Sequence, residues 1–270
     1  MLPGPIDLLG FRWATWDLLL LLGVALGYFV ARITIPATPV MALRYGFVVY
    51  ICALAAQLFA YAFDANTSML PPADVSTARY YLSPLAGPKT LYGALLALPI
   101  AVGLAFARTI APSRIRYLDA YTPPMMTVLG FVRIGCLLQG CCYGVRSDVF
   151  GLSFPVGSSV HGDQFLQGVI RVDQASLPVL PVQVAASVAC FTLAAWSFRA
   201  VRHSRQRVYL HTLLAYSAFR FVIEFLRADP ARNSWAALST SQWIALAIVA
   251  TAAGFYLRDA LATRSETAPE

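Results

Sequence analysis

Seven apolar runs dominate the chain, each close to the roughly 20 residues a helix needs to cross about 30 Å of hydrocarbon. They fall at 15–32, 39–63, 90–110, 118–143, 179–200, 208–227 and 240–258 of the 270 residues. Lipid offers no hydrogen bonds, so a spanning run of this kind satisfies its backbone only as a helix. The expected fold is therefore all-α, a polytopic integral membrane protein with about seven transmembrane helices in one domain spanning 1–270. A content of 59% hydrophobic and 12% charged residues excludes a soluble globular chain. The formal charge of +7 does not point to nucleic acid, because the basic residues sit mostly at the ends of apolar runs. There they read as topology signals and contacts to anionic lipid headgroups.

The arginines also set the orientation. Arg108, Arg114 and Arg116 lie between the third and fourth runs, and Arg199, Arg202, Arg205 and Arg207 between the fifth and sixth. By the positive-inside rule both loops are cytoplasmic, and the tail with Arg258 and Arg264 agrees. An odd number of spans leaves the N-terminus outside and the C-terminus in the cytoplasm. The loops at 64–89 and 144–178 are then extracytoplasmic, and they are the longest connections. The first ten residues carry no Lys or Arg, and the run from Trp16 to Val30 has no convincing small-residue cleavage site. The first segment is expected to be retained.

Arg133 is the charge that this pattern does not explain. It lies within TVLGFVRIGCLLQGCCYG, 127–144, where every other residue is apolar, small or neutral. A guanidinium at membrane depth costs at least about 2.5 kcal/mol, so a counter-charge, a water-filled cavity or an anionic ligand is required. Arg220 repeats the problem, with Glu224 one turn later on the same helix face. Pro123 and Pro124 are expected to break or kink the fourth span ahead of Arg133. Gly130, Gly135, Gly140 and Gly144 allow close approach of a helix or a ligand. Cys136, Cys141 and Cys142 have neither a nearby His nor a zinc-ribbon or finger spacing, and read, with Cys52 and Cys190, as buried thiols rather than a metal centre. His161 reads as a loop residue at the surface and His203 as a solvated one, while His211 is remote from the arginines.

FVRIGCLLQGCCYG, 131–144, resembles the signature of bacterial prolipoprotein diacylglyceryl transferases. That signature runs Gly-Arg-Ile-Gly-Asn-Phe, two residues, Gly-Glu, one residue, then Tyr or Trp and Gly. Four more matches follow the family's order: LRYG at 43–46, LPVQ at 180–183, FRFVIEFLRADP at 219–230 and LSTSQW at 238–243. The resemblance implies transfer of a diacylglyceryl group from phosphatidylglycerol to the lipobox cysteine of a prolipoprotein signal peptide, in the bacterial inner membrane, with no cofactor. It makes Arg133 and Arg220 the clamp on the lipid phosphate, where planar donor forks stabilise charge on the leaving group. Glu224 is either the partner that holds Arg220 or a member of the catalytic ion network. Tyr45, Gln183 and Gln242 match polar family positions and, with Gly135, Gly140 and Gly144, are candidates for lipid contact.

The departures concern the acid–base half of the reaction. Tyr92 stands where the family carries the histidine proposed to help deprotonate the thiol. Tyrosine, with a pKa near about 10, is a poor base at neutral pH. Cys136 replaces an Asn, Cys141 a Glu, Leu180 a His and Ala186 a Glu. Two readings stay open: a divergent transferase, or a relative that binds lipid without turnover. A transporter of anions fits the buried arginines but not the ordered motifs.

Overall fold

The computed structural model describes residues 6–8, 11–13, 15–35, 40–63, 90–108, 111–230 and 234–266. Eight helices are found among them: α1 Thr15–Thr34, α2 Met41–Phe63, α3 Leu91–Ala105, α4 Ala111–Gln139, α5 Ser159–Leu166, α6 Val182–Arg202, α7 Val208–Ile223 and α8 Thr240–Glu266. One 3₁₀ turn, Glu224–Leu226, continues α7, and two antiparallel hairpins of two or three residues per strand complete the elements. Five stretches are long and apolar enough to cross a membrane, namely Thr15–Thr34, Met41–Ala60, Arg114–Gln139, Val182–Arg202 and Thr240–Leu257. The fold is that of a multi-pass, all-α membrane protein. Of the remaining expected spans, α3 has 15 residues and α7 has 16. Neither reaches the roughly 20 residues of an upright span. The expected loop at 64–89 lies outside the described residues.

The central element is α4, 72% of whose spanning window is buried, against 22–33% for the other four. α1 and α6 both pack against it. The buried stripe of α1 is Gly23, Gly27, Ala31 and Thr34, small residues one turn apart that bring the two backbones together. From α6, Ser187 Oγ donates to the Gly130 carbonyl at 3.1 Å, and the rings of Phe131 and Phe191 meet edge-on at 5.2 Å. α2 pairs with α3, whose first turn is tied down by Thr90: its N–H reaches the Ala56 carbonyl at 3.0 Å and its hydroxyl caps Gly93 N–H at 3.2 Å. α7 pairs with α8. The outward faces carry Phe29, Leu43, Ile100, Val188 and Leu257, each more than half exposed, as a lipid-facing surface requires.

The expected break at Pro123 and Pro124 is not found, because α4 runs unbroken through both. Pro124 has no N–H for the Ala120 carbonyl, and Thr34 Oγ1 of α1 supplies the missing donor at 2.9 Å. The helix closes after Gln139 in a Schellman motif: Gly140 N–H bonds the Leu137 carbonyl at 3.2 Å and Cys141 N–H the Cys136 carbonyl at 3.1 Å. Gly140 holds φ +73°, the left-handed conformation this turn demands.

Residues 144–178 form an ordered cap over this end of α4. A small core of Tyr143, Phe154, Val160 and Val179 underlies it. His161 is buried there, not at the surface as its loop position suggested. Its ring accepts from Gly157 N–H at 3.4 Å and meets the Val172 carbonyl at 3.1 Å, so backbone groups without strand partners recruit it. Tyr143 Oη donates to Asp163 Oδ2 at 3.1 Å, tying the cap to the end of α4. Burial pushes the Asp163 carboxyl above its usual range, with the Tyr143 bond opposing.

Three chain segments cross where the cap begins. Gly144 N–H bonds the Leu180 carbonyl at 2.9 Å, Val145 N–H the Leu226 carbonyl at 2.8 Å, and Ala228 N–H the Tyr143 carbonyl at 3.2 Å. A Cβ on Gly144 would stand 2.7 Å from the Leu226 oxygen and 2.8 Å from Leu180 Cβ. Gly144→Ala is therefore expected to cost on the order of 1–3 kcal/mol. The check is the thermal midpoint of the protein in nanodiscs, and an unchanged midpoint would show that the junction yields.

Candidate functional site

The junction of α4, α6 and α7 gathers the charges that the sequence left unexplained. Arg133, on the last two turns of α4, is 7% exposed. Its Nε has no hydrogen-bond partner, Nη1 lies 4.0 Å from the sulfur of Cys136, Tyr216 is a hydrogen-bonding neighbour, and among the described residues no carboxylate lies within ion-pair distance. Arg220, at the end of α7, is held by Glu224 at 2.6 Å and reaches Ser241 Oγ at 3.4 Å. Glu224, 1% exposed, is shared with Arg227, whose Nη1 lies 3.4 Å away. Arg227 also grips Asp229 through a two-pronged contact, Nε to Oδ1 at 2.8 Å and Nη2 to Oδ2 at 2.6 Å. Burial pushes the Asp229 carboxyl up, and Arg227 opposes this.

Among the described residues, three guanidiniums thus face two carboxylates, with one positive charge in surplus. Arg220 feels the repulsion of both Arg227 and Arg133, so the three form one electrostatic cluster. A buried surplus cation of this kind calls for an anionic ligand. The ligand class it fits is a phosphate, whose oxygens match the donor fork of a guanidinium.

Tyr92, from the first turn of α3, joins the same cluster. Its ring meets Tyr216 of α7 edge-on at 5.8 Å, and its charge neighbours are Arg220 and Glu224. The Tyr92 and Ser217 hydroxyls are both buried and lie beside each other. Gln183, at the start of α6, donates to the Cys141 carbonyl at 2.7 Å and so fixes the turn after α4. Gln242 joins α8 to α7: it accepts from Ser239 N–H at 2.8 Å and donates to the Phe221 carbonyl at 3.2 Å. Gly140 packs under Phe154 and Gly144 fills the crossing point, while Gly135 faces Trp16 of α1. Tyr45 sits in a different seam, between α1, α2 and α4. There it lines an apolar pocket with Trp16, Cys52, Leu91 and Tyr121, and its hydroxyl donates to the Val24 carbonyl at 3.0 Å. His211 lies apart, bonded to Tyr256 at 3.0 Å.

Arg227, Asp229 and Tyr216 were not among the residues expected in the site. The spacing held a signal for Arg227, since positions 220, 224 and 227 follow one helix face. Asp229 had none, because it reaches Arg227 only after the helix has ended at the 3₁₀ turn.

The family described as prolipoprotein diacylglyceryl transferase matches residues 4–258. The chain is 30% identical over 181 residues to phosphatidylglycerol–prolipoprotein diacylglyceryl transferase 2 of Clostridium perfringens (strain 13 / Type A), covering 66% of this chain and 64% of that protein. It is 33% identical over 159 residues to the enzyme of Clostridium tetani (strain Massachusetts / E88), covering 58% of each. Over a shorter stretch of 84 residues it is 37% identical to that of Rhodopirellula baltica (strain DSM 10527 / NCIMB 13988 / SH1), covering 30% of this chain and 17% of that protein. The chain thus spans less than two thirds of the length of each of these relatives.

Proposed function

The chain belongs to the prolipoprotein diacylglyceryl transferase family, and we propose on this basis that it moves a diacylglyceryl group from phosphatidylglycerol to the cysteine thiol of a prolipoprotein signal peptide. The observation that carries this reading is the surplus buried cation at Arg133, beside an Arg220 already neutralised by Glu224. Phosphatidylglycerol supplies the anion: its phosphate accepts from Arg133 and Arg220, and its acyl chains extend toward lipid. When the thiolate attacks the glyceryl carbon, the carbon–oxygen bond to phosphate breaks and glycerol phosphate leaves with the bonding pair. The guanidiniums gain strength as that negative charge grows, in a medium where little water competes. Glu224 accepts from two guanidiniums at once, so it positions the arginines rather than taking a proton. Tyr45 and its apolar pocket suit acyl-chain packing.

The test is incubation of the purified protein, in phosphatidylglycerol-containing nanodiscs, with a lipobox peptide. Mass spectrometry is expected to show one diacylglyceryl addition on the peptide cysteine. Binding of the lipid with no addition would leave only a lipid-binding role.

For topology the proposal is seven spans in a bacterial inner membrane, completed by α3 and α7, with the N-terminus outside. The arginine-rich connections support it. Reporter fusions or cysteine accessibility should put positions near 113 and 204 in the cytoplasm and positions near 75 and 160 outside. An external 204 would overturn this arrangement.

A further inference from the structure

The turn that closes α4 also brings three thiols together. The Schellman bonds fold Cys141 back over Cys136, and Cys142 takes φ +57°, a left-handed backbone that a side-chain-bearing residue rarely adopts. The sulfurs of Cys136, Cys141 and Cys142 then all lie within 4.8 Å of one another. All three are free thiols, with Cys136 buried and the other two half-buried. Sequence spacing concealed this convergence, because a helix terminus rather than a zinc knuckle creates it. Cys52 and Cys190 are also free and buried, but neither belongs to a cluster among the described residues.

The convergence of three sulfurs suits a metal better than inert packing. Arg133 Nη1 lies 4.0 Å from the Cys136 sulfur. Tetrahedral zinc with Zn–S near 2.3 Å needs sulfurs about 3.8 Å apart, so closure moves any pair by at most about 1 Å. Gln183 already pins the Cys141 peptide at 2.7 Å. Three protein ligands leave a fourth position open, the arrangement of a catalytic rather than a structural zinc.

We propose that Cys136, Cys141 and Cys142 bind one zinc ion, and that the acceptor thiol occupies its fourth position as a thiolate. The second half of this rests on the transfer reaction proposed above; the metal site does not. A thiol on zinc is deprotonated outright, which supplies the nucleophile in a site where Tyr92 is no base. The acceptor R–SH displaces the zinc-bound water and its proton passes to solvent. The sulfur lone pair then forms the bond to the glyceryl carbon while the carbon–oxygen bond breaks. The electron pair leaves on glycerol phosphate. The product thioether, neutral and a weak ligand, gives way to water, and no redox change occurs.

The test begins with zinc content, measured by elemental mass spectrometry on the full chain purified under reducing conditions, and with titration by Zn²⁺ alone. One zinc per chain is expected. Cys136→Ser, Cys141→Ser and Cys142→Ser should each weaken zinc binding by more than the roughly 10–100-fold that outer-sphere changes cost, and Cys52→Ser should leave it unchanged. Should a variant fail to fold, wild-type protein still decides: zinc should shield three of its five thiols from alkylation, and a chelator should expose them. Three thiols that alkylate equally with and without zinc, or a disulfide among them in acid-trapped membranes, would overturn the site. Transfer that continues unchanged in zinc-free protein would overturn the activating role. Zinc bound with no transfer would support the site and defeat the transferase reading instead.

Discussion

Arg133→Ala is expected to lower diacylglyceryl transfer by about 10²–10³-fold, the cost of removing one preorganised donor from a developing anion. The same change should leave the thermal midpoint in nanodiscs unchanged or slightly raised. Arg133 has no carboxylate partner in the described structure and an unsatisfied Nε, so its removal strands no buried carboxylate and relieves a buried cation of its desolvation. Arg133→Lys keeps the charge but replaces a planar fork with a point charge on a flexible stem. It should still lose at least about tenfold. Full activity of the Lys variant at normal expression would remove Arg133 from the clamp, and a lowered midpoint for the Ala variant would mean that Arg133 has a structural partner.

Five of the seven apolar runs return as helices long enough to span, because hydrophobic length is a property of local sequence. The failures share one physical origin, which is that a partner distant in sequence settles a local question. Pro123 and Pro124 looked like a break because the donor that rescues the Ala120 carbonyl, Thr34, is 86 residues away. His161 looked like a surface residue because the backbone groups it satisfies belong to a loop with no periodic signature. In the site, Arg220 and Glu224 were legible from their four-residue spacing, whereas Arg133 was legible only as an anomaly. Its cause, two carboxylates committed to other arginines, depends on Asp229 lying past the end of a helix. The convergence of Cys136, Cys141 and Cys142 was hidden for a similar reason: a left-handed turn can join residues whose spacing fits no ligand motif.

Glu224→Ala should have the opposite signature from Arg133→Ala, damaging the fold first and activity only as a consequence. The carboxylate is 1% exposed and is the shared partner of Arg220 at 2.6 Å and Arg227 at 3.4 Å. Deleting it leaves three guanidiniums against the single carboxylate of Asp229, in an interior where like charges repel strongly. Breaking a buried pair by removing one partner costs about 3–5 kcal/mol, which corresponds to a fall in midpoint on the order of 10 °C for a chain of this size. Arg227 should move least, since Asp229 still holds it with two bonds. Arg220 should move most, having only Ser241 left. Thermal denaturation in nanodiscs is the measurement. A Glu224→Ala protein with a wild-type midpoint and no transfer would show instead that this carboxylate acts on the substrate.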